Sequence, residues 1–171
     1  MLSTPSRRMP LARAARAAAA LAALVVAGAC GDDDITGDDD EPDIASVRLT
    51  VTPPGGGTPS VFVATSSTTP TPVQLRVGTS TVVAEPLDAN GQVITLDEPF
   101  EFRMVATVTG NDADQQTPLA GPLSFTPGAA GTLRGTITAS TTATTSAWVR
   151  LVHIEEAHSD ADRPVQITVV P

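Results

Sequence analysis

The first regular pattern in the chain is an alternation of apolar and polar side chains in "IASVRLTVT", residues 44 to 52. The residues of its apolar face are Ala45, Val47, Leu49 and Val51. A period of two with one apolar face predicts a half-buried β-strand. Similar runs predict further strands over 60–65, 72–78, 80–85, 100–109, 131–139, 145–155 and 164–170.

Clusters of Gly, Pro, Asp, Asn, Ser and Thr separate these runs, among them "STTPTP", "DANG", "GNDADQQTP" and "TPGAAG". Such clusters are typical of turns, and short strands about 8 to 15 residues apart are typical of a β-sandwich. Helical periodicity is absent after Cys30. The pattern therefore predicts an all-β fold over residues 44–171, an antiparallel sandwich of about seven to nine strands.

Four segments of this region resemble the bacterial immunoglobulin-like domains of surface proteins: "IASVRLTVTP", "AEPLDANGQVI" at 84–94, "GTLRGTITAS" and "VQITVVP". The segment after the "DANG" turn departs from that pattern and reads "EPFEFRMVATV". The resemblance implies an immunoglobulin-like sandwich that serves as a spacer or binding module. It supplies no catalytic residues.

Two strands give predictions about individual side chains. Phe100, Phe102 and Met104 share one face of their strand and are expected in a core that is otherwise aliphatic. Arg150 alternates with apolar neighbours in the run that starts near Trp148. An arginine in that position is expected at a sheet edge, or with its charged end extended to water.

Residues 1–29 have the three parts of an export signal: four arginines without an acid, an apolar run, and small residues before Cys30. The apolar run of about 13 residues would form about 20 Å of helix, short of the roughly 30 Å of a bilayer core. A signal helix is therefore expected, and a permanent transmembrane span is not.

"VAGAC" at 26–30 resembles the lipobox of bacterial lipoprotein signal peptides. The resemblance implies cleavage after Ala29, diacylglycerol on the Cys30 sulfur and a membrane anchor with palmitate-like chains. Gly31 in place of aspartate favours the outer membrane, facing the periplasm or the cell surface. Lipidation would also explain the chain's only cysteine, because a free thiol outside the cytoplasm is exposed to oxidation. The alternative is an ordinary secretory signal.

Residues 30–43 consist of Cys30 and the acidic run "GDDDITGDDDEPD", and they are expected to form a disordered tether. A calcium loop is the alternative, but the Gly and Glu positions of an EF-hand are not matched. The formal net charge of the whole chain is -9. A surface of that sign repels phosphate backbones, which argues against nucleic acid as a partner.

The densest polar cluster is "HIEEAHSDADR", which starts at His153. His153 and Glu155 are predicted on one side of a strand, with His158 and Asp160 in the following turn. Imidazole and carboxylate groups at this spacing could converge on a divalent metal. The alternative is an acidic hairpin turn without an ion, and no other cofactor is indicated.

An enzyme is not expected. Ser146 and Ser159 lie near the histidines, but the G-x-S-x-G elbow is missing and the chain has no lysine for a Schiff base. The sequence therefore predicts a lipid-anchored, non-catalytic module of the bacterial envelope, with an envelope protein or a glycan as its unknown partner. A metal-binding envelope protein using His153, Glu155, His158 and Asp160 is the alternative.

Overall fold

The computed structural model describes residues 43–171, and these residues form an all-β fold. The strands of this part are β1 (Ser46–Thr52), β2 (Ser60–Thr65), β3 (Thr71–Arg76), β4 (Gly78–Leu87), β5 (Phe100–Val108), β6 (Gln116–Pro118), β7 (Leu123–Pro127), β8 (Arg134–Ala139), β9 (Ala143–His153) and β10 (His158–Val170). The predicted signal segment, Cys30 and the tether lie outside the described residues. Within residues 43–171, no helix is long and apolar enough to cross a membrane.

The strands form two five-stranded sheets, which confirms the predicted β-sandwich. The first sheet has the order β2-β1-β4-β8-β7, and the second has the order β3-β10-β9-β5-β6. All pairs are antiparallel except β3 with β10, which is parallel. The second sheet is therefore mixed, and the expectation of a purely antiparallel sandwich is corrected at this one pair.

The strand order is that of an immunoglobulin-like sandwich. Such domains place strands A, B, E and D in one sheet and G, F and C in the other. Here β1-β4-β8-β7 and β10-β9-β5 reproduce these two orders, and β6 occupies the additional position beside strand C. The inter-sheet disulfide of antibody domains has no counterpart, because the only cysteine is Cys30.

The described part has one strand more than the upper end of the predicted range, and the short strands explain the difference. β6 and β7 have three and five residues, too few to show a clear alternation in the sequence. β10 begins at His158, six residues before the predicted start at 164. A β-bulge between Ser159 and Ala161 inserts Asp160 and interrupts the alternation there.

The hydrophobic core lies between the two sheets and is mostly aliphatic, as predicted. In β1, Val47, Leu49 and Val51 are buried, as the alternation predicted. The alternation does not hold before the strand begins, because Ile44 is buried and Ala45 is only partly buried. Phe100, Phe102 and Met104 are also buried, as expected from their shared face.

The "DANG" turn after β4 is built around one carboxylate. Asp88 Oδ1 accepts hydrogen bonds of 2.8 Å from the backbone N–H groups of Asn90 and Gln92. Gly91 has a φ of 76°, a backbone conformation that glycine adopts without strain. The Gln92 N–H, with those of Asn90 and Gly91, lowers the pKa of the Asp88 carboxyl below its usual value of 3.8.

The outer face of the second sheet carries a second buried layer. Val105 and Val152 are buried there although neither belongs to the core between the sheets. Arg150 lies on the same face, in the central strand β9, and its side chain is 0% exposed. The expectation that Arg150 lies at an edge or extends to water is therefore wrong. The segment 109–116, which connects β5 to β6 and ends at the first residue of β6, covers this face.

Arg150 holds that segment in place. Its Nε donates to Asp162 Oδ1 at 2.7 Å, directly across the β9–β10 pair. The two Nη groups of Arg150 also donate to the covering segment. The acceptors there are the carbonyl oxygens of Gly110, Asn111 and Asp112 and the side-chain oxygen of Gln116. The segment then continues the sheet, because Ser159 donates its N–H to Asn111 at 2.8 Å and Ala113 donates to Ala157 at 2.7 Å. Arg150 thereby fixes the start of β10.

We expect Asp162→Asn to lower the free energy of unfolding by about 2 to 4 kcal/mol, because it leaves the buried Arg150 charge without its counter-charge. The measurement is urea denaturation of residues 31–171, followed by the fluorescence of Trp148. Asp114→Asn is the matched control, since Asp114 is exposed in the covering segment, and it should change the value by less than about 0.5 kcal/mol. Equal effects of the two variants would contradict a clamping role for Arg150.

We expect Asp88→Asn to lower the melting temperature at neutral pH. A carboxyl with a lowered pKa stabilises the fold above its unfolded value of 3.8, and this contribution is lost as the pH falls through the lower folded value. The difference in melting temperature between Asp88→Asn and the parent chain should therefore shrink below that pH. A difference that stays constant from neutral pH to strong acid would refute this account of the turn.

Candidate functional site

The two histidines meet across the turn between β9 and β10. His153 is the last residue of β9 and pairs directly with His158, the first residue of β10. Residues 154–157 form the turn, and Ala157 has a φ of 56°, in the left-handed region. The two imidazole rings lie edge to face with their centroids 5.7 Å apart. The hairpin register therefore brings together residues that the sequence separates by a polar loop.

His153 closes one end of the core. It lies opposite Phe100 in the β5–β9 pair, and its ring stacks on the Phe100 ring with centroids 5.0 Å apart and an interplanar angle of 13°. Its side chain is only 3% exposed. Nε2 contacts the Glu98 carboxylate, and Nδ1 lies 3.5 Å from Glu156 Oε2. A buried ring is thus held between an aromatic neighbour and two carboxylates.

The surroundings of His153 act on its pKa in opposite directions. Burial is the largest single effect and lowers the pKa of His153, because it disfavours the charged ring. The contact with Glu98, together with the negative charges of Glu98, Glu156 and Asp160, outweighs burial. The pKa of His153 is raised as a result.

His158 shares a carboxylate with His153. Its Nδ1 lies 3.1 Å from the same Glu156 Oε2, and its Nε2 lies 2.6 Å from Asp160 Oδ1. Asp160 reaches His158 because it is the extra residue of the bulge in β10. Both rings therefore direct Nδ1 at Glu156, and each has a different carboxylate at Nε2.

The structure brings His153 and His158 together as the sequence analysis expected, but the acidic partner differs. Donor atoms of His153, Glu156 and His158 all lie within 4.8 Å of one another, and Glu155 is not part of this group. The alternation that placed Glu155 beside His153 does not continue, because β9 ends at His153 and Glu155 lies in the turn. Asp160 contacts His158 Nε2 but does not belong to the group of His153, Glu156 and His158.

The sequence analysis did not identify Glu98 or Glu156. Glu98 lies in the connection between β4 and β5, and a backbone hydrogen bond of 3.1 Å from Ile154 N–H to the Pro99 carbonyl ties that connection to the turn. The pairing of β5 with β9 brings Glu98 close to His153. Composition alone does not reveal this pairing. Glu155 and Glu156 are adjacent in the sequence, and selecting Glu156 would have required knowing that β9 ends at His153.

Ser159 is engaged in structural hydrogen bonds. Its hydroxyl lies 2.7 Å from Asp162 Oδ1 and 3.2 Å from the Leu151 carbonyl, both suitable acceptors. These contacts direct the Ser159 hydroxyl towards the ion pair of Arg150 and Asp162, away from the histidine rings. Ser146 is exposed and lines a groove beside Trp148.

That groove lies beside β9 and β10 of the second sheet. It has a volume of about 420 Å³, and its lining includes Trp148, Asp162, Pro164 and the hydroxyl-bearing loop 66–68. A groove of about 450 Å³ lies at the opposite end of the sandwich from the histidines, beside Pro53 and Arg76. Neither groove contains histidine or a cluster of carboxylates.

Comparison of the chain with protein-family models, with curated proteins and with solved structures finds no match.

We expect His153→Ala to lower the free energy of unfolding by about 2 to 4 kcal/mol, because it removes a buried ring and its stack on Phe100. His158→Ala is the matched control in the same hairpin, with a side chain that is 32% exposed, and should cost less than about 1 kcal/mol. Urea denaturation in the presence of a chelator measures both values. A larger loss in the His158 variant would contradict the assignment of His153 to the end of the core.

Proposed function

We propose that this protein is a lipid-anchored, non-catalytic module of the bacterial cell envelope, with an immunoglobulin-like domain that binds or spaces other envelope components. The observation that carries the proposal is the position of the only cysteine. Cys30 follows an arginine-bearing and then apolar segment, directly after small residues, and precedes an acidic run. This order resembles that of lipoprotein signal peptides, and a random placement of one cysteine would rarely satisfy it.

Lipidation gives the anchor its physical strength. Each acyl methylene buried in a bilayer contributes about 0.8 kcal/mol, so two or three chains hold a protein far more firmly than one. Residues 31–43 span at most about 45 Å when fully extended. The anchor would restrict the domain to that distance from the membrane and raise its effective concentration towards partners there.

The folded domain supports a binding or spacing role. Its strand order is that of immunoglobulin-like sandwiches, and β1 starts at Ser46, only three residues after Asp43. Ser159, the serine adjacent to His158, is engaged by Asp162 and the backbone. This arrangement argues against a serine hydrolase that uses Ser159, because such an enzyme would need that hydroxyl beside an imidazole.

Acylation predicts how the protein partitions. The chain expressed in a bacterial host with lipoprotein processing should enter the detergent-rich phase of a phase-separating non-ionic detergent, because its acyl chains are apolar. Cys30→Ser should remain unprocessed, with its leading residues attached. Intact-mass spectrometry of the parent should show loss of residues 1–29 and addition of diacylglycerol. An unmodified Cys30, or a retained leader in the parent, would refute the anchor.

The partner can be sought with the anchored protein itself. Cross-linking in the native envelope, followed by affinity purification, should recover one protein or glycan reproducibly with the acylated chain. A control chain with a cleavable secretory signal and no cysteine should recover less of it, because anchoring supplies the effective concentration. Equal recovery by both chains would show that the anchor does not contribute to the interaction.

A further inference from the structure

We propose that His153, His158 and Glu156 form a binding site for a zinc-type divalent ion, with Nδ1 of both imidazoles and the Glu156 carboxylate as ligands. This site is independent of the anchor, and the proposed envelope role does not require it.

The donor distances are close to those of a metal site. Zinc bonds of about 2.1 Å in tetrahedral geometry place neighbouring donor atoms about 3.4 Å apart. Glu156 Oε2 lies 3.5 Å from His153 Nδ1 and 3.1 Å from His158 Nδ1. Ligand atoms of all three residues fall within 4.8 Å of one another. Small side-chain rotations would be enough to bring the donors around an ion.

The opposite ring nitrogens have the partners that metal-bound histidines usually have. A ligating imidazole commonly donates its other N–H to a carboxylate, which fixes the ring orientation and leaves a lone pair for the metal. Here Glu98 contacts His153 Nε2, and Asp160 Oδ1 lies 2.6 Å from His158 Nε2. This pattern occurs at both rings, each time with Nδ1 towards Glu156.

The framework that carries the ligands is well supported. His153 is fixed by its stack on Phe100, and His158 is paired with it across the hairpin. The start of β10 is also paired with the covering segment through Asp112. The most exposed ligand is Glu156, with 48% of its side chain accessible, so an ion could enter from that side and keep a water as its fourth ligand.

The ligand set favours one class of ion. Calcium and magnesium prefer sites made of oxygen atoms, whereas two imidazoles with one carboxylate suit zinc and its neighbours in the transition series. We therefore expect zinc to bind in preference to calcium or magnesium.

The test is calorimetric titration of the full chain carrying Cys30→Ser, in detergent, with zinc chloride. Cys30→Ser removes the only thiol that could bind zinc in an unprocessed chain. We expect one zinc ion per chain, and no comparable heat from calcium or magnesium at the same concentrations.

Two neighbouring substitutions make a matched pair on this background. Glu156→Gln should weaken zinc binding at least about tenfold, whereas Glu155→Gln, with the same loss of charge one residue away, should leave it unchanged within about twofold. Melting temperatures in a chelator should show that both variants are folded. If Glu156→Gln does not fold, His158→Gln replaces it.

Equal zinc affinity in the Glu155 and Glu156 variants would overturn the proposal, because it would place any bound ion elsewhere, for example in the acidic run. Absence of zinc uptake by the parent chain would also overturn it. Glu98→Gln should weaken binding about tenfold without changing the stoichiometry, since Glu98 positions His153 without being a ligand. None of these outcomes bears on lipidation at Cys30.

Discussion

The arrangement of the second sheet depends on the buried ion pair between Arg150 and Asp162. A fully buried guanidinium is costly unless its donors are satisfied. Asp162 opposite it in β10 and the carbonyl groups of segment 109–116 provide those acceptors. The same contacts draw the segment over the outer face of the sheet, where it pairs with the first residues of β10. This network positions His158 at the start of β10, and with it the turn 154–157 that joins the two histidines.

Local patterns in the sequence were sufficient to predict the fold class. The alternation in β1 and the shared face of Phe100, Phe102 and Met104 depend on nearest neighbours along a strand, and the structure bears out both. Features that depend on distant parts of the chain were not predicted. The burial of Arg150 requires a segment 40 residues away in sequence, and the parallel β3–β10 pair joins residues such as Thr71 and Val165, which lie more than 90 positions apart.

The candidate site shows the same division. Composition identified His153 and His158, because two histidines close to several carboxylates stand out in this chain. Choosing Glu156 over Glu155 required the end of β9, and finding Glu98 required the β5–β9 pairing. Asp160 was identified by composition, but its orientation towards His158 comes from a β-bulge that the sequence pattern did not predict.

The direction of β1 has a consequence for how the domain would face a bilayer. β1 and β10 begin at the same end of the sandwich, where Arg163 of β10 donates a hydrogen bond to the Ile44 carbonyl. A chain held by acyl groups at Cys30 would enter the domain at that end, which is also the end that carries the turn between the two histidines. Anionic headgroups concentrate cations within roughly a Debye length, about 8 Å at physiological salt. The extension of residues 31–43 would then determine whether this end of the domain samples the cation-rich layer or the bulk solution beyond it.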